Sequence, residues 1–324
     1  MSSTVQIEVS NLKNSLQNNY DIFICSSSFE ERCLIIPSNL DLVKFKKVLI
    51  CHYTPNYEKV LNNLTRLKEI STNATLLTFR KDSPTSNLDL LVDELNDFAA
   101  YTKKSVPVSI LVDISTITHE MLLIFTYLFK RYLNKPKFIV NYIYNSASDY
   151  SSNETVENKW LSKGVGEVRS VLGYAGEILP NKKTLLVIFV GFEAERAKAL
   201  IELFEPNKVL LGHASLEGAI NEALQEKNKL IFDDLFSVLK IDIEKFTFSC
   251  KTLNETDELV EKIFQENSQD FNIIIASLNN KISTIGCALA CIRHPEIQIC
   301  YPTAISYNIH NYSIPSDKAY FIEL

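Results

Sequence analysis

Short runs of almost uninterrupted apolar residues alternate with stretches whose apolar positions recur every three or four residues, and this alternation persists along most of the chain. In the first half the apolar runs are Asp21 to Cys25, Lys47 to His52, Thr75 to Phe79, Val108 to Val112 and Lys137 to Tyr144. Between them the spacing predicts helices opening at SSSFEER, spanning about Tyr57 to Ile70, covering SPTSNLDLLVDELNDFAAYTKK, and running from DISTITHE to Leu133. Strands that are apolar on both sides, alternating with helices, predict a parallel sheet covered on both faces.

A Ser-, Asn-, Gly- and Lys-rich stretch follows, and then the pattern repeats. Strands are expected at Leu185 to Val190, Lys208 to Leu211, Lys245 to Phe248, Asn272 to Ala276 and Ile297 to Tyr301. An offset of 164 aligns Glu31-Arg32 with Glu195-Arg196, each just after a first strand. The same offset aligns Asp113-Ile114-Ser115 with Ser277-Leu278-Asn279, each after a fourth strand, and with a gap of three His52 aligns with His213. The expected fold is therefore α/β: two tandem Rossmann-like domains, each a mainly parallel sheet with helices on both faces, related by internal duplication. The expected boundaries are 1–150, a linker at 151–183, and 184–324.

Composition narrows the function. A formal net charge of −6 with no strongly basic domain argues against a duplex-DNA binder. The polar N-terminus lacks a signal-peptide pattern, and the apolar runs fall well short of the roughly 20 residues that span a bilayer. A soluble, cytoplasmic protein with no membrane partner is expected. The seven cysteines are scattered without a CxxC pair, as buried reduced thiols would be, and no metal site is expected. Only eight glycines occur, so a glycine-rich phosphate loop is absent. Neither a Walker motif nor a dinucleotide fingerprint marks a resident cofactor, and none is expected.

In open parallel sheets, ligands sit outside the carboxyl ends of the strands where the strand order reverses. The turns there carry the candidate chemistry. In the first half they supply Ser26, Ser27 and Arg32, then Asp113, Ser115, Thr116, Thr118 and His119. In the second they supply Gly191, Phe192, Glu193 and Arg196, then Asn279, Asn280, Lys281, Ser283 and Thr284. Each turn opens a helix whose free N–H groups and positive dipole end suit an anion. Each residue also has a structural reading. Arg32 and Arg196 could be salt-bridged helix residues, and Ser115 or Thr116 could cap a helix, with Glu120 in its first turn. His119 is either a general acid–base or a core histidine. Tyr307 and Asn308, in the tail, could stack on and hydrogen-bond a base, or belong to a C-terminal wrap.

The layout resembles the CARF-like (CRISPR-associated Rossmann-fold) nucleotide sensors, in which a polar loop follows strand one and [DN]-x-[ST]-x-x-x-[KR] follows strand four. Residues 113–119, DISTITH, fit that pattern except that His119 replaces the basic residue, and residues 279–284 keep its composition but not its spacing. The resemblance implies a small, cyclic nucleotide ligand held between two paired domains, a role in prokaryotic antiviral defence, and a separately encoded effector. In that family the pair is usually a homodimer; here the tandem halves could form it, and a homodimer of the chain stays open. A local resemblance of YDIFICSSSFEER to TIR-type domains leaves a second reading, a nucleotide- or NAD-processing hydrolase with Glu31 or Glu195 as acid or base. A third is a non-catalytic interaction subunit.

Overall fold

The computed structural model describes residues 3–16, 20–54, 57–102, 107–132, 138–150, 160–239 and 243–324. Elements of the first half are β1 (Ser3–Glu8), α1 (Leu12–Ser15), β2 (Ile22–Ser26), α2 (Arg32–Ser38), β3 (Lys47–Thr54), α3 (Glu58–Ile70), β4 (Thr75–Arg80), α4 (Pro84–Thr102), β5 (Val108–Asp113), α5 (His119–Tyr127) and β6 (Phe138–Tyr150). The rest are β7 (Ser162–Ser170), β8 (Lys183–Phe189), α6 (Ala194–Phe204), β9 (Lys208–Ala214), α7 (Glu222–Val238), β10 (Ile243–Phe248), α8 (Leu253–Asn267), β11 (Phe271–Ser277), α9 (Lys281–Arg293), β12 (Gln298–Tyr307) and β13 (Ser313–Glu323).

Two sheets result, ordered β1-β13-β6-β5-β2-β3-β4 and β10-β9-β8-β11-β12-β7. Within each, five strands run parallel, and counted in chain order they lie third, second, first, fourth, fifth in both. The duplication expected from the 164-residue offset thus extends to topology. The driving force is visible in the strands: every residue of Ile22–Ser26 is buried, as both faces must be when crossover helices cover them. Helix α3 shows the complementary pattern, burying Val60, Leu64 and Leu67 along one stripe. Helix α9 is buried from Lys281 to Cys291, and Gly286 explains how: a Cβ there would lie 2.6 Å from the Leu253 carbonyl of α8.

Where the domains end differs from the sequence expectation. One compact unit comprises residues 1–121, 128–148 and 313–324; the other comprises 122–127 and 149–312. The chain's last strand, β13, therefore belongs to the first sheet, where it pairs antiparallel with β1. Against β6 it also runs in the opposite direction: Asn145 reaches the carbonyls of Ser316 and Lys318, while Ser148 reaches those of Ile314 and Pro315. Conversely, β7, inside the expected linker, closes the second sheet antiparallel to β12. Residues 151–159 of that linker lie outside the described residues. Each parallel core thus carries one antiparallel strand beside its fifth, taken from the stretch of chain that adjoins the other core in sequence.

Candidate functional site at the strand tips

The order reverses between first and fourth strands, so the candidate crevices lie at the tips of β2 and β5 in one domain and of β8 and β11 in the other.

In the first domain this tip is a nest of hydroxyls around a carboxyl. The Ser26 hydroxyl lies 2.8 Å from that of Thr116, and the Ser27 hydroxyl lies 2.7 Å from Nδ1 of His52. Asp113 ends β5. Its Oδ1 accepts from the Ser115 N–H at 2.9 Å and from the Ser115 hydroxyl at 2.5 Å, and Ser115 Oγ accepts from the Asn145 N–H of β6 at 2.8 Å. Neither Ser115 nor Thr116 caps α5; Thr118 does, accepting from the Met121 N–H. Both hydroxyls therefore join the network between the strand tips. Thr116, Thr118 and His119 are half-buried and form the accessible rim above buried Ser26, Ser27 and Asp113. Burial pushes the Asp113 carboxyl up to about 7, against the opposing pull of the Ser115 hydrogen bonds and the Arg32 charge.

Arg32 takes a different role from phosphate neutralisation. It is 3% exposed and donates to Glu30, to the Ser313 hydroxyl of β13 and to the Asn145 carbonyl of β6. Arg196 repeats this in the second domain, pairing with Glu193 at 2.8 Å and donating to the Pro302 carbonyl of β12, with its guanidinium 4.9 Å from the Tyr301 ring. Both arginines are struts tying the helix that follows a domain's first parallel strand, α2 or α6, to its fifth parallel strand, β6 or β12. Their unfavourable place in a first helical turn is compensated by the neighbouring carboxylates.

The second domain's strand-four turn is packed shut. A Cβ at Gly191 would lie 1.9 Å from the Leu278 carbonyl. Asn279 donates to the Val190 carbonyl and accepts from the Cys250 thiol. Asn280 caps α9 through the Ser283 N–H and donates to the Cys250 carbonyl. Ser283 and Thr284 both return their hydroxyls to the Asn280 carbonyl and are fully buried. Lys281 is likewise nine-tenths buried. The expected anion loop is a hydrogen-bonded plug. What stays partly open is aromatic: Phe192, Tyr150, Tyr312 and Tyr307 are half-buried, with centroids 4.9 Å apart for Tyr150–Phe192, 6.3 Å for Tyr150–Tyr312 and 6.1 Å for Tyr307–Tyr312. Asn308 holds the turn before β13 through Trp160, Leu161 and Asn311.

The two carboxylates expected as acid or base sit on the exterior. Glu31 pairs with Arg66, and Glu195 is exposed, accepting from the Gly164 N–H. His52, Glu30, Asn145 and Tyr150 were not singled out as site residues from sequence. For His52 the signal existed, its alignment with His213. The cysteines are buried and free, with Cys33, Cys250 and Cys300 pushed up to about 12 chiefly by burial. Among the described residues no group of three or more His, Cys, Asp or Glu could hold a metal, and no helix is long and apolar enough to cross a membrane.

A scan against protein-family models gives no match, and a search of curated proteins gives none. Among solved structures the chain is similar to an N-terminal ketoreductase from the macrolactin assembly line, at 10% identity and a TM-score of 0.21, covering 85% of this chain and 64% of that one. It is also similar to an adenylation, ketoreductase and pseudo-Asub multidomain structure of a keto acid-selecting NRPS module, at 11% identity and 0.20, covering 85% and 27%. The chain thus spans less than two thirds of either, and likeness of this degree carries no functional argument.

Proposed function

We propose that this chain is a nucleotide-binding regulatory protein whose first ligand site is the tip of β2 and β5. The observation that carries the reading is the hydroxyl nest Ser26–Thr116 and Ser27–His52 beside buried Asp113, at the point of strand-order reversal where such sheets take ligands. These hydroxyls are not spent on capping, and the start of α5 offers backbone N–H groups to a phosphate. With Arg32 and Arg196 engaged internally, the anion is met by dipoles and hydroxyls. The resemblance of residues 113–119 to CARF-like sensors carries the proposal to a cyclic nucleotide messenger of a defence system and to a separate effector that receives the response.

Thermal-shift measurements with cyclic oligonucleotides, mononucleotides and NAD test this. A ligand at 100 times its Kd adds about 2.7 kcal/mol, a rise of roughly 5–10 °C for a domain of this size. Thr116→Ala should weaken the effect without unfolding the protein. If no nucleotide raises the midpoint, the reading fails.

Turnover is the second reading, and the Ser27–His52 pair favours it, because an imidazole within hydrogen-bond reach can activate a hydroxyl. Chromatography after incubation with the same nucleotides distinguishes the two.

A further inference from the structure

The two carboxylate–arginine struts differ in one respect. In the first domain, Oε2 of Glu30 takes three donors: Nε and Nη2 of Arg32 and the Ser313 hydroxyl. In the second, Glu193 gives one oxygen to Arg196, and its other, Oε1, is buried with no hydrogen-bond partner. The Glu193 side chain is nine-tenths buried. An unpaired carboxylate oxygen shielded from water is costly, and such atoms are rare outside places where something else completes them. Glu193 stands at the tip of β8, directly after Phe192, whose ring belongs to the half-buried cluster. That cluster, Phe192, Tyr150, Tyr312 and Tyr307, is half-buried and lies wholly within the second unit.

We propose that the tip of the second domain is a nucleobase site, in which Glu193 Oε1 accepts the exocyclic amino group of a base and the Phe192–Tyr150–Tyr312 rings stack on its face. The chemistry follows from the atoms. An unprotonated carboxylate oxygen can only accept, so it favours a base edge that carries N–H donors and disfavours one that presents a carbonyl there. Every base has a π-face, so the rings give affinity while the carboxylate gives choice. Arg196 positions the carboxylate: held through its other oxygen, Glu193 keeps Oε1 for the ligand. Because Oε1 is shielded, the donor reaches it as the half-buried rings shift. Binding should therefore change the near-ultraviolet circular dichroism of the tyrosines.

This deepens the nucleotide-binding reading and rests on it. The direct test is calorimetric titration of the full chain with AMP and IMP, which differ at the amino group that Oε1 would take. AMP should bind at least about tenfold more tightly, as expected when a charged acceptor is left unpaired by the wrong ligand. Glu193→Gln should erase that preference. Since it also changes the partner of Arg196, Tyr312→Leu, which leaves both members of the Glu193–Arg196 pair in place, serves as a second variant and should weaken both ligands about fivefold or more while leaving the preference intact. Equal affinity for AMP and IMP in the wild type, or a preference that survives Glu193→Gln in a folded protein, overturns the inference. If binding is then abolished by Thr116→Ala, the nucleotide-binding reading stands without it. If no nucleotide binds, both fall.

Discussion

Asp113→Asn is the perturbation that most sharply probes the first domain's strand tip. The aspartate is fully buried at the end of β5, and burial raises it from an ordinary value of 3.8 to about 7. In the unfolded chain the same carboxyl ionises near its ordinary value. Between those two points the folded state holds the extra proton, so raising the pH removes stability, and the loss is complete above about pH 7. The shift of about 3 units corresponds to a penalty of about 4 kcal/mol at alkaline pH, of which roughly 3 kcal/mol develops between pH 5 and pH 8. Asparagine keeps an oxygen to accept from the Ser115 N–H and hydroxyl but cannot ionise. Urea unfolding of wild type and variant across pH 5–8 isolates the effect, because all other titrations cancel in the difference. With a slope of about 2 kcal/mol per molar, the wild-type midpoint should fall by about 1.5 M relative to the variant as pH rises. Parallel pH profiles for the two proteins would refute the claim that Asp113 carries a buried, raised carboxyl.

Replacing Arg32 or Arg196 by methionine should destabilise the fold by about 3–5 kcal/mol, since each leaves a buried carboxylate uncompensated, and the melting temperature reads it. A ligand-binding role alone would leave the melting temperature of the free protein unchanged. Gly191→Ala should cost several kcal/mol or prevent folding, because the added methyl meets the Leu278 carbonyl; normal expression and melting would contradict the close approach of the two turns. Glu205 adopts a left-handed conformation at the end of α6, with φ 42°, so Glu205→Gly should stabilise by about 0.5–1 kcal/mol in denaturant titration. All seven cysteines should resist a thiol reagent in the native protein and react once urea unfolds it; a fast native thiol would contradict their burial.

The central parallel strands β2, β5, β8 and β11 were legible because a strand buried on both faces is apolar almost throughout, and that leaves a contiguous mark in the sequence, whereas the edge strands β4 and β10 keep only part of it. The antiparallel strands were not. Strand β7, SKGVGEVRS, has no fully buried position, and β13 interleaves Ser313, Pro315, Ser316 and Asp317 with its apolar residues. Strand β7 is a sheet edge and needs only half a hydrophobic pattern, while β13 is paired on both sides, by β1 and β6, and the partners of both strands are set by pairing across the chain. Arg32 meets Ser313 across 281 positions, a contact no local spacing encodes. The site shows the same division. Its place followed from the strand order and the polar turns. The assignment of each hydroxyl did not, because Ser115 leaves its capping position for Asp113 and for the Asn145 N–H of β6. Likewise, the loop around Lys281 reads as an anion cradle by composition, yet Gly191 and Asn279 bring it against the neighbouring turn and close it.

Hydrogen exchange with and without a saturating nucleotide tests the central claim most directly, because it reports where the ligand sits. The account predicts slowed exchange in residues 26–32 and 113–121, the turns after β2 and β5, and little change in the strand interiors. Exchange unchanged in both turns, with a nucleotide demonstrably bound, would contradict it.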